Sequence, residues 1–372
     1  MHAELVVDVS RLEELRGDWD RLAVEAGAPY SAPGWLLPWL RHVAPTGAEL
    51  RAVAVVDGDR LVGLAPLFAD RAGRLAMLGV GTCSGVEPLA QSGAREPVAA
   101  ATAQVLAASE PTPRALAFDG VLRTSDWPRL IADAWSGGGA LVLLGRTERA
   151  PFAERPDGGY AAWFAARSQH FRKRMRRARR ALEEEGASFR RSGAEEVERD
   201  LRSFAELHRA RWADRGGSGV VTGAVERMLE DAARDLGPDR LRVWVLETNG
   251  TAVAVEILVA AGDVSTFWLG GFDPAWASSQ PSLQTMLVAL EHAFEAGDRR
   301  VELGEGGQDF KYRLADGDEE LRWAALVPPG PGRTRARIRL RALAVRRALA
   351  ARTPPAPKRL LRRAVGAVRN RV

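Results

Sequence analysis

Two stretches of the chain share one alternation of apolar and polar positions. Residues 50–63 read as two short strands around an Asp57-Gly58 turn, and residues 241–254 repeat the pattern around Asn249-Gly250. Dipeptides of this kind accept the positive φ angles that a two-residue hairpin turn demands. Apolar residues at helical spacing precede each hairpin, over 12–22 and 35–42 in the first case and 197–214 and 224–235 in the second. After the second hairpin come a buried-looking strand over 264–271, a helix over about 282–296 and a strand over 300–303. A strand, crossover helix and neighbouring strand of this length form a right-handed parallel unit, whose loops and helix N-terminus can receive an anion.

The first half offers a weaker version of the same order. A strand over 75–80, a helix over 97–108 and a strand over 115–119 are expected, with 127–135 and 140–144 finishing the sheet. Its loop 79–85 holds three glycines; it reads either as a phosphate cradle or as a turn forming one wall of a cleft. The pattern therefore predicts an α/β protein with a mixed sheet, built as an N-terminal half (1–150) and a C-terminal half (160–330). Residues 150–159, with Pro151, Pro156, Gly158 and Gly159, read as the linker between them.

The helix after that linker sets Phe171, Met175, Ala178 and Leu182 on one side. Its other faces bear Arg172, Lys173, Arg174, Arg176, Arg177, Arg179 and Arg180. Such a run is either a solvated face or the contact for an anionic partner such as a phosphate, a glycan or a lipid headgroup.

Composition narrows the class. With 46% apolar and 27% charged residues among 372, the chain reads as globular. Cys83 is alone, so an internal disulfide and a Cys/His metal cluster are both excluded and a reducing, cytoplasmic setting is expected. The early acids Glu4, Asp8, Glu13 and Glu14 do not suit a signal peptide, and no uncharged apolar run reaches the ~18 residues of a membrane span. Net charge is +5, yet 14 Lys and Arg and no acid lie between Arg333 and Arg371, leaving 39 bases against 48 acids upstream, or −9. A basic tail on an acidic body is drawn to anionic surfaces, membrane before nucleic acid here. Within the tail, Leu360, Leu361, Ala364, Val365, Val368 and Val372 would share one helical face among Lys358, Arg359, Arg362 and Arg363, suiting a helix on the inner membrane face.

Particular residues carry a family resemblance. Phe267-Trp268-Leu269-Gly270-Gly271-Phe272-Asp273-Pro274, Gln280-Pro281-Ser282-Leu283, Glu302-Leu303-Gly304 and Phe310-Lys311 occur in that order. Upstream stand Glu206-Leu207-His208, Arg211-Trp212, Arg215-Gly216 and the basic helix. Together, across most of residues 4–325, they resemble the BioF2-like (CelD/BcsL-type) acetyltransferases, a branch of the GNAT superfamily related to the Fem peptidyltransferases. Where that family has Pro-Gly and Tyr-Lys, this chain has Pro281-Ser282 and Phe310-Lys311.

The resemblance implies a tandem GNAT-like fold with a degenerate N-terminal half. It implies direct transfer of an acetyl or other acyl group from acetyl-CoA or another acyl-CoA, without a metal, to an amine or hydroxyl acceptor. That acceptor would be a small molecule or glycan of the exopolysaccharide or cell-envelope kind. Two other readings stand beside it: a Fem-like aminoacyltransferase using aminoacyl-tRNA, and a non-catalytic GNAT-like binding protein.

On that reading the strand over 264–271 supplies backbone donors around Leu269, Gly270 and Gly271. The next helix N-terminus, with Gln280, Ser282 and Gln284, receives the CoA pyrophosphate. Glu256 lies in a strand among Ala252, Ala254, Leu258 and Ala260, where desolvation would raise its pKa toward that of a useful base. Asp273 reads as a second carboxylate or a turn cap, and Glu305 stands among glycines at a strand end. Lys311 matches the family's lysine, which would bind an anionic group or polarise the thioester. His208 reads as structural, and Trp19, Trp35, Trp39 and Trp163 as core. No Ser/His/Asp order, P-loop or HExxH motif is present.

Overall fold

The computed structural model describes residues 1–213, 217–330 and 333–352. The N-terminal half opens with β1 (His2–Val6) and the helices α1 (Val9–Glu14), α2 (Arg16–Glu25) and α3 (Pro33–His42). The expected hairpin follows as β2 (Glu49–Leu50) with β3 (Ala52–Asp57), and β4 (Arg60–Ala65) with β5 (Leu67–Ala69), Pro66 interrupting the returning arm. Then come β6 (Arg74–Met77), β7 (Leu89–Ala90), α4 (Arg95–Ala108), β8 (Ala115–Leu122), α5 (Trp127–Asp133) and β9 (Leu141–Glu154).

The C-terminal half repeats the order. Helices α6 (Gly159–Ala166) and α7 (Gln169–Glu184) lead into β10 (Ala187–Arg191), α8 (Val197–Trp212) and α9 (Gly223–Arg240). The hairpin β11 (Leu241–Thr248) and β12 (Thr251–Ala261) turns at Asn249-Gly250, with φ of 49° and 74°. Strand β13 (Val264–Phe272), α10 (Pro281–Glu295), β14 (Arg300–Glu302), α11 (Asp309–Tyr312) and β15 (Gly317–Val327) complete it, and α12 (Arg333–Arg352) follows.

Eleven strands form one sheet in the order β10-β11-β12-β13-β14-β9-β15-β8-β6-β5-β2, beside a four-stranded sheet β1-β3-β4-β7. Strand β9, from the first half, lies against β14 of the second, while β15 of the second lies between β9 and β8 of the first. Each half thus lends its last strand to the other.

This exchange corrects two expectations. Residues 150–154 are not linker: Ala150, Pro151 and Phe152 pair with β15 on one side and Phe152, Ala153 and Glu154 with β14 on the other. Pro151 is tolerated there because Leu303 N–H needs only its carbonyl, at 2.9 Å. Residues 127–133 form a helix capping the sheet rather than part of it, with Trp127, Ile131 and Ala132 turned to the core.

Packing fastens the halves further. One core runs from Trp19, Trp35 and Trp39 through Phe204 and Met228 to Val255 and Ile257, so it belongs to both. Burying such large aromatic and branched side chains is the main stabilising term across the junction. Ion pairs rim the contact of α2 and α3 with α9: Arg16–Asp235 at 3.0 Å, Arg41–Asp231 at 2.5 Å and Arg240–Asp20 at 2.7 Å. The amphipathic segment expected at 358–372 lies outside the described residues.

Candidate active site

The parallel pair β13–β14 is short. Val264, Ser265 and Thr266 pair with Arg300, Val301 and Glu302, after which β13 runs on to Phe272 without a partner on that side. The chain after β14 turns away because Leu303 N–H bonds to Pro151 and Gly304 takes φ of 75°, a conformation open to glycine. Phe267, Leu269, Gly270, Leu303 and Gly304 line the gap so formed, part of a cavity of about 1160 Å³ between the halves.

Strand β13 also bulges. Ile257 faces Leu269 and Leu258 faces Phe267, which leaves Trp268 as the extra residue. Its indole N–H reaches across to the Thr82 carbonyl of the N-terminal half at 2.9 Å.

Glu256 lies beneath this gap, 4% exposed, on the face of β12 turned toward α10. Its cross-strand partner is Gly270, where an added Cβ would stand 2.0 Å from Glu256 Oε2. Ser282, in the first turn of α10, donates its hydroxyl to Glu256 Oε1. Burial pushes the carboxyl up to about 7, against the opposing pull of the Ser282 hydrogen bond and the Arg211 charge. A carboxylate poised there can accept a proton near neutral pH.

The other expected site residues separate into two groups. Leu269, Gly270, Ser282, Glu305 and Lys311 line the cavity with Glu256. Lys311 Nζ donates to the carbonyls of Gly304 at 3.1 Å and Glu305 at 2.7 Å; burial lowers its pKa to about 8, with Glu305 opposing. Glu305 Oε2 accepts from Ser84 of the N-terminal half at 2.8 Å.

Asp273, Gly271, Gln280 and Gln284 lie elsewhere. Asp273 caps the turn 274–279 by accepting from Ala275 N–H at 2.9 Å, and Gly271 is packed under α8, where a Cβ would meet His208 N at 2.5 Å. Gln280 takes a left-handed conformation, φ 54°, and accepts from Arg174 at 2.6 Å. Gln284 is buried and donates to the Met175 carbonyl at 3.0 Å, tying α10 to α7.

Sequence reasoning passed over residues that the fold brings in. Glu302 lines the cavity, accepts from Thr266 Oγ1 at 3.1 Å and has its pKa raised by burial; it stood inside a quoted motif but carried no separate signal. His208, read from the sequence as structural, is 3% exposed between the Gly270 carbonyl and Ser218, at 3.1 and 2.9 Å, and also borders the cavity. Tyr30 and Glu87 come from the N-terminal half, and burial raises the pKa of both, Glu87 to about 7. Among the described residues no group of His, Cys, Asp and Glu could hold a metal ion.

The N-terminal half has no equivalent gap. Strand β6 pairs with β8 for three residues, then the loop 79–85 folds against β8, and a Cβ on Gly120 would come within 2.5 Å of Ser84. That loop is one wall of the cavity: Thr82 holds Trp39 and Trp268, and Ser84 holds Glu305.

Two halves of hairpin, crossover helix and sheet, with a gap opened in the second, define a tandem GNAT-like fold. Residues 169–312 match the family described as Acetyltransferase (GNAT) domain. Among solved structures, FemX superposes with a TM-score of 0.61 at 11% identity, covering 87% of this chain and 97% of that one. The C-terminal domain of a putative lysylphosphatidylglycerol synthetase from Agrobacterium fabrum gives 0.55 at 11% identity, over 90% and 96%. The L-PGS of Bacillus licheniformis gives 0.54 at 13%, over 90% and 96%. At these identities the likeness is one of fold. No curated protein sequence matches the chain.

Proposed function

We propose that the protein transfers an acyl group, acetyl in the simplest case, from acyl-CoA to an amine or hydroxyl acceptor in the cavity between its halves. The observation behind this reading is the parting of β13 from β14 directly above a buried carboxyl of raised pKa. The gap suits a pantetheine arm: the positive φ of Gly304 turns the chain after β14 away, and the free edge of β13 offers N–H groups for the thioester oxygen. Glu256 takes the proton from the attacking nucleophile, and Ser282 fixes its orientation. Lys311, on the β14 side, steadies negative charge on the departing sulfur or the acceptor.

The cavity walls from the N-terminal half, with Tyr30, Ser84 and Glu87, hold the acceptor, a glycan or small molecule of the cell-envelope kind. The exposed arginines of α12, with Ile338 and Val345 also exposed at 62% and 58%, support a place at an anionic membrane surface. No described helix is long and apolar enough to cross a membrane.

Thermal shift with acetyl-CoA, CoA and aminoacyl-tRNA tests the donor. Stabilisation by the CoA compounds alone supports the proposal; stabilisation by tRNA alone replaces it with the Fem-like aminoacyl transfer that the fold also accommodates. No response to either leaves a binding protein.

A further inference from the structure

Lysine is scarce in this chain. Of its 53 Lys and Arg, three are lysine: Lys173, Lys311 and Lys358. Arginine serves wherever a fixed charge suffices, whereas a buried lysine adds an amine that can shed its proton and act as a nucleophile. Lys173 is exposed on α7, and Lys358 lies outside the described residues. Lys311 borders the cavity.

Its surroundings suit the neutral amine. Nζ donates to the carbonyls of Gly304 and Glu305, at 3.1 and 2.7 Å, and forms no ion pair among the described residues. Two acceptors satisfy both N–H bonds of a neutral amine and leave its lone pair uncommitted. Burial lowers the pKa to about 8, with Glu305 opposing, so at pH 7.5 the uncharged fraction is on the order of 100-fold above that of an ordinary lysine.

The amine also stands where the gap opens. Phe267 is the first residue of β13 beyond its pairing with β14. A Cβ on Gly304 would lie 3.2 Å from the Phe267 carbonyl oxygen and 3.5 Å from Lys311 Nζ, so one glycine separates the amine from the strand edge. Cys83 borders the cavity too, but burial pushes its thiol up to about 12, which keeps the thiolate from forming.

We propose that Lys311 is acylated by the enzyme's own donor when no acceptor is bound, an inference that rests on the acyl-CoA reading. Nζ bonds to the thioester carbonyl carbon, the C–S bond breaks with its electron pair on sulfur, and the proton lost by nitrogen passes to the thiolate. The products are an amide on Lys311 and CoA. The amide carries no charge, so the modification withdraws the cation from the gap.

Mass spectrometry of the full chain after incubation with isotopically labelled acetyl-CoA, at pH 7.5 and without acceptor, tests this. Peptide mapping should find the label on Lys311 at least ~10-fold faster than on Lys173, with the preference gone in urea. Lys311→Arg, checked by its melting temperature, should lose the fast phase of labelling of the intact chain. Equal labelling of Lys173 and Lys311 in the folded chain overturns the inference, as does label on Cys83 or Ser282 in place of Lys311, or a Lys311→Arg chain labelled as fast as the wild type. Calorimetric titration with acetyl-CoA separates the two readings: a wild type that binds it and stays unlabelled ends the inference alone, and one that does not bind it removes the acyl-CoA reading as well.

Discussion

Glu256 and Gly270 face each other across the antiparallel pair β12–β13, and the carboxyl of one occupies the space that a side chain on the other would need. The glycine is therefore part of how the acid is placed. Gly270→Ala drives a methyl group into Glu256 Oε2 and turns the carboxyl away from the gap. Displacements of about 1 Å at a reacting group cost ~100-fold in rate. Steady-state kinetics should show that loss in kcat/KM with acetyl-CoA binding retained; an active Gly270→Ala enzyme would separate Glu256 from the chemistry.

The raised pKa of Glu256 fixes a pH dependence for rate. The base must be ionised, so kcat/KM rises with pH through about 7 and levels off above it. Ser282→Ala removes the hydrogen bond that favours the ionised form, and the rising limb should move ~1 pH higher. A limb that stays in place would show that the serine does not tune the acid.

The same group has an opposite effect on stability. Its folded pKa, about 7, lies above the ordinary value of 4.5, so its contribution is complete below 4.5 and is lost as pH rises through 7. The loss approaches ~3 kcal/mol at high pH. Glu256→Gln abolishes that dependence while abolishing proton transfer. Relative to wild type, its melting temperature should be higher at pH 8 than at pH 4.5, and equal offsets at the two pH values would contradict the buried, raised acid.

Arg242 and Asp298 form a buried pair, at 2.6 and 3.2 Å, which holds β11 to the start of β14 and hence sets one edge of the gap. Asp298→Ala leaves the guanidinium buried without its counter-charge and should cost about 3–5 kcal/mol in urea denaturation. A cost below ~1 kcal/mol would mean that water replaces the carboxylate.

The membrane attraction proposed for the tail is separable from donor binding. Removing residues 333–372 should abolish co-sedimentation with phosphatidylglycerol vesicles and leave acetyl-CoA binding intact. Unchanged sedimentation would place membrane attraction elsewhere, or nowhere, on the chain.

Much of this architecture is legible in the sequence because it is encoded locally. The Asp57-Gly58 and Asn249-Gly250 turns, and the apolar periodicity of α8, α9 and α10, each specify one element without reference to the others. Glu256 stands out for a similar reason, as one acid in an apolar strand. The exchange of β9 and β15 is not legible, since strand alternation says which face is buried and not which neighbour is paired. Pro151 even argues against it, reading as a break where the sheet needs only a carbonyl. The Ser84–Glu305 and Thr82–Trp268 contacts join residues 221 and 186 positions apart, a separation no local pattern spans. Asp273, Gln280 and Gln284 show the converse: all three lie in or beside the motif-bearing segments, yet their side chains serve the scaffold.

Because β9 is made by the first half and hydrogen-bonded into the second, neither half is a self-sufficient unit of inheritance. A gene cut near codon 155 would yield one piece with a surplus strand and another with an open sheet edge at β14. The first half is thus a matter of carpentry: it supplies the plank that completes the sheet of the second.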